Sequence, residues 1–263
     1  MPSVARCSIQ EDWDGLCPAS GLQGSHCPVC GGFESIDSLG PWHRDQLVCR
    51  DCGSIPRERG AALALARNRP DWMSARIHEA SPAPRGLSLE LAKAPTYLPT
   101  GYFPDGNQTS GLMHVDLENQ SFASGSFDIV VALDVLEHVF DPALAVSEIM
   151  RTLNDNGVAI LTFPISPELN IPMRPRAVKK RGTIDYLLEP DYHGSPFAEG
   201  RSLVTHDYGE GIEKVLAEWG ACDVEMITYC DHSHGVIGEF TEVLICRPRS
   251  TRLVAGTRGG IVA

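Results

Sequence analysis

The stretch Phe127 to Pro142, FDIVVALDVLEHVFDP, constrains the fold more than any other. Asp128 to Leu133 is a short apolar run rich in Val and Ile between polar residues, the pattern of a strand buried on both faces. The run stops at Asp134, and Leu136-Glu137-His138-Val139 turns the chain toward a new helix. That helix opens at Asp141-Pro142, a capping side chain followed by proline at the first helical position. It continues through Ala143 to Met150 with apolar residues three and four apart. A buried strand that releases acidic and polar residues at its carboxyl end is how open α/β sheets build ligand sites. Asp134 to His138 is therefore expected to floor a pocket.

Around this stretch the chain alternates. Ala75 to Ala80 reads as a strand, Ser81-Pro82-Ala83-Pro84-Arg85-Gly86 as the turn after it, and Leu87 to Ala94 as a helix. Tyr97 to Phe103 and Leu112 to Val115 are further strands. Asn154-Asp155-Asn156-Gly157 reads as a turn and Val158 to Phe163 as the next strand. Gly209 to Trp219 is amphipathic, with Ile212, Val215, Leu216 and Trp219 on one face. Cys222 to Tyr229 and Glu239 to Arg247 close the region as an antiparallel pair. Strands and helices alternating at this spacing predict an α/β fold, a parallel sheet covered by helices on both faces.

Hydrophobic residues make up 43% and charged residues 21%, which supports a packed core and excludes wholesale disorder. The formal charge of −12 falls almost entirely after Pro70. A surface this acidic repels phosphate backbones, which disfavours sequence-independent nucleic-acid binding. The N-terminus lacks the apolar core of a signal peptide, and no run approaches the roughly 18 apolar residues a membrane helix needs. The expectation is a cytoplasmic protein without a membrane partner, its oligomeric state left open.

In a reducing compartment the nine cysteines are thiols or metal ligands. Cys27, Cys30, Cys49 and Cys52 form C-x2-C-x18-C-x2-C, the spacing of a zinc ribbon. Two residues between thiolates let one tight turn present both sulfurs to a tetrahedral ion. Four protein ligands leave Zn2+ no open position, so this metal is expected to be structural. The lobe is read either as a docking module or stabilising cap, or as a substrate-recognition lobe. Cys7 and Cys17 are left as free thiols. The expected organisation is a flexible arm over 1–20, a zinc ribbon over 21–56 and a linker helix over 57–73. A sheet domain over 74–248 follows, with an insertion over 165–206, and a tail over 249–263 ends the chain.

Taken together, Asp116-Leu117, Ser126-Phe127-Asp128, Leu133-Asp134-Val135-Leu136-Glu137-His138-Val139 and Leu153-Asn154-Asp155-Asn156-Gly157 carry a family pattern. The region from Arg76 to Arg247 resembles the class I S-adenosylmethionine-dependent methyltransferases, most of all the small-molecule branch with an LEH segment. The resemblance implies a Rossmann-like seven-stranded sheet with a reversed last strand. It also implies that Asp116 accepts from the cofactor's adenine amino group, that the Leu117 backbone meets the ring, and that Leu133 and Asp134 line its methionine portion. His138 would sit near the methyl group or hold the pocket wall. Glu79 occupies the acidic position that ends the family's first strand. Ser81, however, stands where the first glycine of the usual glycine-rich turn belongs, and prolines stiffen the rest. The family's ribose-binding acid after the second strand has no counterpart in Thr100-Gly101-Tyr102, and Asp105 is a poor substitute.

In the resembled fold, an insertion such as 165–206 roofs the acceptor pocket. Arg174, Arg176, Lys179, Lys180 and Arg181 cluster there, either as a solvated run or as an anion-recognising patch. Asp191-Tyr192-His193-Gly194 and Thr205-His206-Asp207-Tyr208 each place an imidazole beside an acid and a phenol. His193 first and His206 second are the expected bases that take a proton from an acceptor hydroxyl. The leading functional expectation is methyl transfer, as O-methylation, from S-adenosylmethionine to a small-molecule or glycan-linked acceptor. A non-catalytic scaffold and a ribosomal-RNA methyltransferase are the alternatives.

Overall fold

The computed structural model describes residues 22–104, 111–194 and 201–249. The arm over 1–20, Cys7, Cys17, Asp105 and the tail beyond 249 lie outside the described residues.

The amino-terminal lobe is small. Strand β1 (Ile36–Ser38) pairs antiparallel with β2 (Leu47–Cys49), and the one-turn helix α1 (His43–Gln46) joins them. Helix α2 (Pro56–Asn68) follows. Its small face, Ala61, Ala62 and Ala64 with Leu65, packs into the same core as Ile77, Ile129, Ile160 and Ile245. The helix expected as a linker therefore covers one face of the central sheet.

The rest of the chain runs β3 (Ile77–Ala80), α3 (Gly86–Leu91), β4 (Tyr97–Gly101), β5 (Met113–His114), β6 (Phe127–Leu133), α4 (Pro142–Thr152) and β7 (Leu153–Thr162). Six short strands follow: β8 (Met173–Pro175), β9 (Ala177–Lys180), β10 (Thr183–Tyr186), β11 (Tyr192–Gly194), β12 (Arg201–Leu203) and β13 (His206–Tyr208). Helix α5 (Ile212–Trp219) then leads into β14 (Cys222–Thr228) and β15 (Glu242–Pro248). The central sheet has seven strands in the order β14-β15-β7-β6-β3-β4-β5. Strands β3 to β7 pair parallel, while β15 runs antiparallel to both β7 and β14, so β15 alone is reversed.

Strand β6 shows why the sheet is doubly covered. Its alternate residues enter opposite cores: Val130 and Ala132 join Val146, Ile149 and Leu216, while Ile129 and Val131 join Ala61 and Leu65. That period of two turns an apolar run into two buried faces. Helix α4 starts as its sequence predicts, with the Asp141 side chain accepting from the Leu144 amide at 3.0 Å and Pro142 in the first turn.

One expected turn is absent. Asn154 to Gly157 lies within β7, where the pairing jumps from Phe127↔Leu153 to Ile129↔Val158. The Asn154 side chain accepts from the Asn156 amide at 2.9 Å. The turn chemistry is thus spent on a four-residue bulge opposite Asp128 instead of a break in the strand. The insertion, irregular in the sequence, is built from antiparallel pairs: β8 with β13, β9 with β10 and β11 with β12.

Candidate functional site

The four cysteines converge. Their sulfurs all lie within 4.8 Å of one another, and Cys27–Cys52 and Cys30–Cys49 are each 3.8 Å apart. A tetrahedral ion with metal–sulfur arms of ~2.3 Å sets edges of about 3.8 Å, so the residues fit such a metal. Two matching knuckles build the cage. Gly31 donates its N–H to the Cys27 carbonyl and Gly53 to the Cys49 carbonyl, both at 2.8 Å, with φ of +78° and +74° that only glycine adopts freely. Burial opposes ionisation of Cys49, yet the Ser35 hydroxyl and the Cys52 and Asp51 amides hold its thiol down to about 7. Fully buried Arg59, which donates to the carbonyls of Leu47 at 2.9 Å and of Gly235 at 2.7 Å, offsets the thiolate charge.

This lobe reaches the carboxyl edge of the sheet. Register pairs Ala80 with Ala132, so Glu79, Ser81, Leu133 and Asp134 emerge from adjacent strand ends. Asp134 adopts φ +54° and is bonded on three sides. Arg44 of α1 approaches it at 2.5 Å, Arg57 of α2 at 2.9 Å and the Thr162 hydroxyl at 3.1 Å. Burial would push the Asp134 carboxyl up, but the two guanidinium groups, Arg57 foremost, hold it below the usual carboxylate range. Asp45 holds the two arginines from the other side. The residue expected to line a cofactor is thus also the lobe's anchor.

The first turn rests on the same lobe. Ser81 has φ +55° and donates its N–H to Thr100 at 2.8 Å, and the Gly86 amide donates to the Cys52 carbonyl at 2.8 Å. Glu79 is buried and accepts from the Ser88 hydroxyl at 2.6 Å and from Tyr97 at 2.5 Å; burial pushes its carboxyl up to about 7. Asp116 accepts from the Glu118 amide at 2.9 Å, as a turn residue does, and Leu117 packs into the core with Phe127 and Val130.

Beyond β6 the chain forms a short 3-10 turn, Leu136–His138, pinned by the insertion. The Tyr208 hydroxyl donates to Leu136 at 2.8 Å, the Thr205 amide to Glu137 at 2.7 Å, and His138 Nδ1 meets the Leu203 carbonyl at 2.8 Å. Between the turn and the hairpins lies a cavity of about 210 Å³ whose lining includes Glu137, Arg174, His193, Val204, His206 and Phe240. His206 Nδ1 faces Thr205 Oγ1 at 3.0 Å and the Val139 carbonyl at 3.2 Å. The Thr205 hydroxyl has one proton and aims it at backbone carbonyls, so Nδ1 is the donor and Nε2 is left basic. Burial lowers the His206 pKa, whereas Glu137, ahead of an opposing burial effect, raises that of His193. The insertion's cations are largely engaged: Arg174 and Arg176 pair with Asp207 at 2.6 and 3.1 Å, and Lys180 with Asp185 at 3.3 Å.

The sheet ends at β14 on one edge and β5 on the other, β15 being the one reversed strand of the seven, and the acidic ends of β3 and β6 lie towards its middle. Residues 100–161, less than half the chain, match the family model of a methyltransferase domain. The fold is the Rossmann-like methyltransferase fold. Among solved structures, an S-adenosylmethionine-dependent methyltransferase from Mesorhizobium loti is 14% identical, covering 72% of this chain and 97% of its own, with a TM-score of 0.47. The sugar N-methyltransferase KedS8 from Streptoalloteichus is 16% identical, covering 74% of this chain and 87% of its own, TM-score 0.44. CalS10, an amino pentose methyltransferase from Micromonospora echinaspora, is 16% identical with S-adenosylmethionine bound, covering 74% and 92%, TM-score 0.47. No curated protein matches the sequence.

Of the expected site residues, this methyltransferase-fold chain brings His193 and His206 to one cavity and places His138 against His193, ring centroids 5.5 Å apart. Glu79, Ser81, Leu133 and Asp134 share the neighbouring strand ends, and Asp116 and Leu117 follow the edge strand β5. The sequence placed Glu137 only within the expected pocket floor, Asp134 to His138, and assigned no role to Arg44 or Arg57. The signal for Glu137 lay in the LEH segment itself, an acid beside a histidine at a strand's carboxyl end. Nothing in the sequence ties Arg44, 90 residues away, to Asp134.

Proposed function

We propose that the protein is an S-adenosylmethionine-dependent methyltransferase that O-methylates a small-molecule or glycan-linked acceptor. The observation that supports it most is the seven-stranded order with β15 alone reversed, joined to the methyltransferase-domain match over residues 100–161. The cofactor would lie across the strand ends, with Glu79 and Ser81 at the first turn and Leu133 and Asp134 beside its methionine portion. Asp116 and Leu117 would meet the adenine. Zn2+ would sit in the Cys27, Cys30, Cys49 and Cys52 cage, where it has no open position and no part in the chemistry.

The acceptor would enter the hairpin-covered cavity. At about 210 Å³ it is smaller than the ~300–1,000 Å³ of drug-sized pockets, which suits one sugar-sized unit. Its walls mix apolar Leu169, Val204 and Phe240 with charged Arg174 and Asp191, as a polyhydroxylated ring with an apolar face requires. Bound across the strand ends, S-adenosylmethionine would supply an activated methyl group for the acceptor oxygen, its sulfonium leaving as a neutral thioether. The hydroxyl proton passes to His206 Nε2, which its tautomer leaves free to accept. The donor carries its own leaving group, so positioning and water exclusion supply most of the rest. Calorimetric titration with S-adenosylmethionine and S-adenosylhomocysteine tests the reading: saturable binding is expected, and none from a zinc-loaded sample would overturn it.

A further inference from the structure

Glu137 is the most exceptional side chain in the cavity. It is 1% exposed, and among the described residues neither carboxylate oxygen accepts a hydrogen bond. A buried carboxylate left unsatisfied keeps its full desolvation penalty, so its position calls for a cationic partner. Two imidazoles flank it. Its Oε1 stands 3.8 Å from His193 Nδ1 and 3.9 Å from His138 Nε2, and one ligand atom from each of the three residues lies within 4.8 Å of the others.

Those spans select among occupants. They are too long for direct hydrogen bonds, which close by ~3.2 Å. A tetrahedrally bridging water with two ~2.8 Å bonds would hold the atoms about 4.6 Å apart, wider than either span. An ion with arms of ~2.0–2.2 Å draws its ligands to about 3.4 Å, which small side-chain rotations reach from here. His138 is already oriented: its Nδ1 meets the Leu203 carbonyl at 2.8 Å, which fixes Nε2 as the lone-pair nitrogen, as in metal-bound histidines.

We infer that Glu137, His138 and His193 form a divalent-cation site open to the acceptor cavity, distinct from the four-cysteine cage. Two imidazoles and one carboxylate favour a first-row transition ion such as Zn2+, Mn2+ or Fe2+ over Mg2+ or Ca2+, which take oxygen ligands. Three protein ligands leave a position for an acceptor oxygen, the arrangement of catalytic and not structural sites. Two ligands come from the turn after β6 and one from the β11 hairpin, so the ion would also tie the roof to the sheet. What the ion does for the acceptor rests on the proposed methyltransferase reading; its binding does not.

The test is titration of the full chain, zinc-loaded at its cysteines, with Co2+ and no methyl donor present. One equivalent is expected to bind, with a visible cobalt spectrum lacking thiolate charge transfer. His193→Ala and Glu137→Gln are each expected to weaken it by about 100-fold or more, while the zinc content stays unchanged. No binding, or binding that survives both substitutions, would overturn the site. If Glu137→Gln loses its zinc as well, His193→Ala, in a short hairpin away from the sheet core, decides the outcome. Failure here with intact S-adenosylmethionine binding would sink the cation site alone.

Discussion

Asp134, half-buried, and Glu137, buried, are carboxylates three residues apart, yet they belong to different regions and stand in opposite states. Asp134 faces the cysteine lobe and is met by two guanidinium groups and a hydroxyl. Glu137 faces the hairpin roof and is met at hydrogen-bond distance by nothing among the described residues. Glu79, on the next strand, is intermediate, bonded only by neutral donors. A buried charge with its counter-charges in place holds a structure together. One kept without them marks a place where a ligand completes the shell. The lobe therefore reads as scaffold and the roof as the working side.

The largest expected effect comes from the cysteine cage, because structural zinc contributes about 10–16 kcal/mol to the folding of such lobes. Stripping the metal, or Cys49→Ser, should abolish hydrogen-exchange protection over 22–56 and loosen the arginines at Asp134. Full protection without metal would break the assignment of the lobe as a metal-held scaffold.

Next is the contrast itself. Asp134→Ala should cost about 3–5 kcal/mol in urea unfolding, since it leaves two guanidinium groups, one buried and one half-buried, with Asp45 as their remaining carboxylate. With no cation added, Glu137→Gln should cost nothing or stabilise by about 1–3 kcal/mol, since it removes an uncompensated charge. Equal costs for the two would erase the distinction between the regions.

Glu79 offers a pH-resolved version. Its folded pKa, about 7, is raised above the ordinary value of 4.5, so the neutral carboxyl favours the fold. That contribution is complete below pH 4.5 and is lost as pH climbs through 7, a change of about 3 kcal/mol. The wild-type midpoint of thermal unfolding should fall over this window and that of Glu79→Gln should not. A parallel fall in both would assign the pH dependence elsewhere.

The smallest shift in stability is expected at His206, where the effect is read through the reaction instead. Burial lowers its pKa against the raising influence of the Val139 carbonyl, Asp141 and Asp207, so the acid limb of methyl transfer should lie below pH 6.5. His206→Gln should remove that limb along with most of kcat, and an unchanged limb would move the base to another group.

Much of this was legible in the chain. The period-two run of β6, the Asp141-Pro142 cap and the paired CxxC spacing each act through neighbours in sequence, where local chemistry suffices. Asn154 to Gly157 misled because turn residues also make bulges, and only the partner strand decides which. The insertion misled because its strands are three or four residues long, too short for periodicity to register.

What the sequence by itself determined is therefore the doubly covered sheet, the four-sulfur cage and the fact that acids and histidines gather at strand ends. The tertiary structure alone decided which acid is satisfied. Arg44 and Arg57 reach Asp134 across some 90 and 77 positions, while among the described residues nothing comes within hydrogen-bond distance of the Glu137 carboxylate, which two imidazoles flank at 3.8 and 3.9 Å. Hydrogen bonds and ion pairs fall off within a few ångströms, so whether a buried charge is compensated depends on proximity in space, which the order of residues does not fix.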